Sequence, residues 1–316
     1  MFIKLLLLSV LLAGTAYTKD IKPLFRLTSE GLVSDLVIDG TLLYAGNDRG
    51  SVDIFDLTSR KKVSQILIEP ITDFMGDPVA PKIFSVDRMN GKTLLVSQAE
   101  AGYSNVWIHD GEHLKKLIGT ARKLSIVEAR FVDDERIVLG TLGHEMILYE
   151  PEENFEVYRM HVAQGAFSDM ALSEDRTKMI TADESGEVRL LDVEKSGLLH
   201  LFRSENVDNV YRVDFRQGVV ITAGKDRRVG VYRPSGDAYH IKSDFLVYCA
   251  ALSPSANRGV YSSGVENDLQ LFDTRTRVKG DRLVGHTGTL NTIVFVNENE
   301  LVSAAQERDI LFWKID

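Results

Sequence analysis

One five-residue pattern recurs seven times in the chain. It is an alternating stretch that ends in a large apolar residue, usually followed by an acid. Three copies are Val52-Asp53-Ile54-Phe55-Asp56, Val188-Arg189-Leu190-Leu191-Asp192 and Leu269-Gln270-Leu271-Phe272-Asp273. The large residues of successive copies stand at 55, 109, 149, 191, 232, 272 and 313, with spacings of 54, 40, 42, 41, 40 and 41. Five of the six match the period of roughly 40–45 residues of a four-stranded propeller blade. A unit of that size cannot bury its own apolar face. It must stack on a neighbour, so the repeat constrains the architecture before any single residue does.

Each unit has the same internal order. An apolar strand comes first, as in Val210-Tyr211-Arg212-Val213-Asp214-Phe215 or Leu290 to Phe295. A polar turn follows, such as Ser173-Glu174-Asp175. A short β-branched strand such as Val219-Val220-Ile221-Thr222 precedes the recurring segment. Alternation of period two, broken by turn residues every few positions, specifies antiparallel strands. No amphipathic helix interrupts it.

The last unit carries Gly285-His286, then Thr289 to Val296, Leu301-Val302-Ser303-Ala304 and Ile310 to Trp313. In this order the chain resembles the WD-repeat β-propellers. In that family the Gly-His histidine, a Ser or Thr of the second strand, an acidic turn residue and the third-strand Trp form one hydrogen-bonded set. The resemblance implies that role for His286, Ser303 and Trp313, with Glu307 where Asp is usual. The other six units lack the Gly-His pair at that place, and none shows Trp at the aligned last position. The expected fold is all-β, a seven-bladed propeller. The final unit stops at Asp316, just after its third strand. The segment Ile21 to Leu27 has no unit of its own, so it is expected to supply the missing outer strand and close the ring. Closure removes the free edges that would otherwise template aggregation.

Residues 1–16 read as a secretory signal peptide. Lys4 precedes the apolar run Leu5 to Leu12, and Gly14 and Ala16 fit the small-residue cleavage positions. The run is too short for a membrane span, which needs about 20 residues. Thr15 stands where a lipoprotein would need Cys, so no lipid anchor is expected. The mature chain is then residues 17–316, one propeller domain in the periplasm. A single cysteine, Cys249, excludes an intrachain disulfide and a CxxC metal site. The formal net charge of -9 argues against general binding to nucleic acid.

The repeat is broken once. The first spacing exceeds the usual 41 by 13 residues. Most of the surplus lies in Glu69 to Pro81, which holds three of the seven prolines, and the rest in Gln98 to Asn105. In WD-repeat propellers the interblade connection and the turn between second and third strands share one face, so both surpluses are expected there. Binding residues concentrate on loops held by a rigid scaffold. The candidates for partner binding are Phe74, Met75 and Tyr103, rimmed by Asp73, Asp77 and Glu100. The alternative is a solvated, neutral insertion.

The third position of each inner strand reads Asp35, Ser85, Glu128, Asp169, Arg212, Cys249 and Thr292, preceded in places by Phe84, Tyr211 and Tyr248. Such a ring at the channel mouth could hold a cation or a basic tail, or be only a water-filled channel. No HExxH, GxSxG or P-loop motif occurs, and the seven histidines are scattered. The chain is therefore expected to be a non-enzymatic, monomeric interaction scaffold with no cofactor and no metal. Its expected partners are other envelope proteins. In length, leader and degenerate repeats it is similar to NapL-type accessory proteins of periplasmic nitrate reductase systems, which would imply a role beside a periplasmic reductase. The alternatives are an envelope or outer-membrane assembly propeller, and a propeller enzyme with a metal in its channel.

Overall fold

The structure is a computed structural model that describes residues 18–316 apart from Pro234. The leader assigned to 1–16 lies outside the described residues. Among the described residues seven blade sheets form a ring, each with four antiparallel strands and one with a fifth added, and the propeller expected from the repeat is what forms. Blade one runs from its inner strand Val33–Asp39 to its outer strand Lys61–Leu67. The inner strands of blades two to seven are Ile83–Met89, Ile126–Phe131, Phe167–Leu172, Val210–Arg216, Ala250–Leu252 and Leu290–Asn297.

The ring closes as the chain ends suggested. Phe25–Thr28 pairs antiparallel with Asp309–Lys314 and becomes the outer strand of blade seven. Phe25 stacks on Phe312 with ring centroids 4.4 Å apart. A second clasp was not expected. Asp20–Ile21 adds in parallel to the outer strand Lys279–Leu283 of blade six. There Arg282 Nε donates to Asp20 at 3.0 Å, and the Lys19 backbone N–H donates to Asp281 at 2.8 Å. The N-terminal segment therefore ties two blades together.

The core is divided as the fold is. Seven apolar clusters form, one in each gap between adjacent blades. Sheets pack this closely only where small residues let them approach. A Cβ at Gly46 would lie 2.8 Å from Ile83 of the next blade, and one at Gly140 would lie 2.9 Å from Phe167. Glycine at these strand positions is a packing requirement.

The blade-seven set assembles as the resemblance implied. His286 Nδ1 lies 2.5 Å from Glu307, its Nε2 lies 2.7 Å from Ser303 Oγ, and Trp313 donates to the same Oγ at 2.7 Å. The register keeps blade two in line with the others: Thr93 faces His109 as Leu301 faces Trp313, so His109 holds the place of the recurring large residue. Trp107 lies two residues earlier and donates to Ser97 at 2.9 Å.

Candidate functional site

The connection between blades one and two folds into its own small hairpin. Ile71–Thr72 pairs with Pro78–Val79, and Ile71 is buried beneath it. Asp73 ties the tip: its side chain accepts the backbone N–H groups of Met75 at 2.8 Å and Asp77 at 2.9 Å. Gly76, at a φ of 92°, completes the turn. Asp73 therefore shapes the loop from inside, while Asp77 is exposed. The two residues at the tip face solvent almost entirely, Phe74 at 96% and Met75 at 74% relative exposure.

The second surplus is the turn at Glu100–Gly102, where Ala101 adopts a φ of 57°. Tyr103 is half-buried, and its carbonyl accepts the Ala99 N–H at 3.0 Å. The two connections join at their bases, where Gln98 N–H donates to Lys82 C=O at 2.8 Å. They share the interblade-loop face, as the resemblance implied. The hairpin tip supplies Phe74 and Met75, while Glu100 and Tyr103 belong to a separate turn.

The axial residues form two cups rather than one open channel. The larger, of about 770 Å³, opens on the opposite face, among the turns between first and second strands. It is lined by Asp35, Asp169 and Arg212, with Asp87, Arg130 and Arg176. The smaller, of about 500 Å³, opens on the interblade-loop face and is walled by Phe84, Tyr211 and Tyr248. Arg212 lines both.

The acids of the ring are occupied within the protein. Asp35 accepts the Val86 N–H at 2.9 Å, Glu128 the Met170 N–H at 2.9 Å, and Asp169 the Val213 N–H at 2.8 Å. Each bond crosses from one blade to the next. Ser85 does the same for Ala129 at 3.1 Å. Guanidinium groups pair with the remaining oxygens of two of them, Arg130 2.5 Å from Glu128 and Arg212 3.0 Å from Asp169, and Arg176 lies 2.8 Å from the neighbouring Asp87. Burial raises the pKa of Glu128 well above its ordinary range despite the charge of Arg130. Arg130 and Arg176, which the sequence pattern did not single out, sit one or more positions away from the ring register. Among the described residues no group of three or more His, Cys, Asp or Glu is placed to hold a metal ion.

Two hydroxyl–imidazole–carboxylate alignments occur among the described residues, and both are sealed. His144 Nε2 lies 3.2 Å from Thr181 Oγ1 and its Nδ1 3.3 Å from Asp183, and all three residues are buried. The Ser303 hydroxyl is capped by Trp313. Neither hydroxyl can meet a substrate. Burial alone would raise Asp183, but hydrogen bonds from His144 and Ser185, with the charge of Arg189, hold its carboxyl far below the usual range. Cys249 is buried, which pushes its thiol up to about 12 and leaves it without nucleophilic character at neutral pH.

The chain is similar to the Shk1 kinase-binding protein 15 of Schizosaccharomyces pombe, with 24% identity over 248 residues, covering 68% of this chain and 71% of that protein. No protein-family model matches the sequence. The relative is thus distant, and its description is that of a protein that binds another protein. No helix among the described residues is long and apolar enough to cross a membrane.

Proposed function

We propose that this propeller is a non-enzymatic scaffold that docks a partner protein on its interblade-loop face. The observation that carries the reading is the ordered hairpin that presents Phe74 and Met75 to solvent. An exposed aromatic–methionine pair on a fixed loop has the composition of an interface anchor. The kinase-binding description of the distant relative supports protein binding as the class of activity.

The finer reading is that the protein works in the periplasm after removal of residues 1–16. There it serves a periplasmic nitrate reductase as a NapL-type accessory. Leader composition and repeat degeneracy support it. The test is binding of the purified propeller to the purified reductase, with Phe74→Ser/Met75→Ser as the second arm. Saturable binding that the double variant loses supports both levels. Binding that the variant retains overturns the hairpin as the docking element. No binding to the reductase overturns the accessory role.

A further inference from the structure

The smaller axial cup has no role in the structure itself, and its chemistry is one-sided. Tyr211 and Tyr248 stack with centroids 5.6 Å apart at an interplanar angle of 16°, and Phe84 forms another part of the wall. All three are half-buried. The floor is Arg212. Of the five N–H donors of a guanidinium, Arg212 directs Nη1 to Asp169 at 3.0 Å and Nη2 to the Ser34 carbonyl at 3.4 Å. The second of these crosses the axis from blade five to blade one. The cup is therefore a dead end, with spare guanidinium donors in its floor. Lys82 and Arg212 are its cations, and its one acid, Asp48, already accepts the Leu32 N–H at 2.8 Å.

We propose that this cup captures the C-terminal residue of a partner chain, seating an aromatic side chain against Tyr211, Tyr248 and Phe84 and the α-carboxylate on Arg212. The volume of about 500 Å³ lies within the range of ligand sites, roughly 300–1,000 Å³, and suits a chain end. A dead end admits a terminus, whereas a passing loop needs an entrance and an exit. A guanidinium at the floor selects a carboxylate over an amine, as in other sites that capture chain termini. The aromatic wall offers offset or edge contact to a ring placed against it. The inference deepens the docking reading, but it rests on residues separate from the hairpin.

The experiment titrates the folded protein with three probes: N-acetyl-Gly-Ser-Phe as the free acid, its C-terminal amide, and N-acetyl-Gly-Ser-Lys amide. The acid is expected to saturate. The amide should bind at least about tenfold more weakly, as follows from the loss of one charge-assisted contact. The lysine peptide should not bind. Arg212→Lys should weaken the acid, and Tyr248→Leu should weaken it by a similar factor with unchanged melting, which guards against the Arg212 variant acting through its Asp169 partner. Equal affinity for acid and amide overturns the carboxylate assignment. Preference for the lysine peptide makes the cup a cation cage and overturns it too. Failure of every probe to saturate overturns the site. Tyr248→Leu should leave hairpin-dependent binding intact, so failure here is distinguishable from failure of the docking reading.

Discussion

His144 reaches from the turn of blade three to within 3.3 Å of Asp183 in blade four. Blade four has no histidine at the position of His286, and His144, which follows Gly143, takes its place beside Thr181. Blade five solves the same problem with Asn206, whose Oδ1 accepts from Thr222 at 2.6 Å and from the Tyr232 hydroxyl at 3.2 Å. Blade one uses Ser29, which donates to Asp53 at 2.7 Å. Ser29, Asn206 and His286 each stand four residues before the inner strand of their blade. Degenerate repeats thus keep a polar knot in these blades with different residues.

Removing the borrowed imidazole leaves Thr181 unsatisfied and Asp183 with one partner fewer in a dry site. His144→Ala is expected to lower unfolding free energy by about 2 kcal/mol, the scale of a lost buried polar partner. Exposed His113→Ala should change it by less than about 0.5 kcal/mol. Urea melts of the two variants check this, and equal effects would contradict the buried role.

The closing strand should control the whole ring. Leu27 is 4% exposed within the cluster between blades seven and one. Leu27→Ala is expected to cost about 2–4 kcal/mol through the cavity left behind. Deletion of 21–28 should expose the edge Asp309–Lys314 and lead to aggregation. Thermal melting and light scattering read both outcomes, and an unchanged melt of the deletion would sink the closure model.

Glu128 gives a pH dependence of definite sign. Burial raises its carboxyl above the ordinary 4.5 against the pull of Arg130. The folded chain then holds a proton that the unfolded chain releases, so this group's contribution to stability falls as pH rises from 4.5 through the raised value. Glu128→Gln keeps an acceptor for the Met170 N–H and removes the titration. The variant's melting temperature should gain on the parent between pH 4.5 and 7. A constant difference across that range would contradict the assignment.

The insertion should be separable from the fold. Its tip is exposed, so Phe74→Ser is expected to shift stability by less than about 0.5 kcal/mol. A loss well above that, measured by urea unfolding, would show that the tip packs on the ring and is not free to dock.

Cys249 offers a simple probe of core integrity. Its thiol is buried and pushed up to about 12. Reaction with a thiol reagent at pH 8 should be absent in the native protein and complete on unfolding. Fast native labelling would show that blade six opens.

The sequence by itself determined the period, the strand order within each blade, the closing role of the segment before residue 28, and the hydrogen-bonded set of blade seven. These are local or periodic properties, written by alternation and turn residues within about forty positions. Tertiary structure decided the rest. The acids at 35, 128 and 169 look like a free ring in sequence. In the fold they bond backbone N–H groups of the next blade, and Asp169 also takes a guanidinium from that blade, which no spacing along the chain reveals. The parallel clasp at Asp20 and the crossing of Arg212 to Ser34 have the same cause. Each depends on how far a side chain or strand reaches into a neighbouring blade. That reach is fixed only when seven similar units close into one ring.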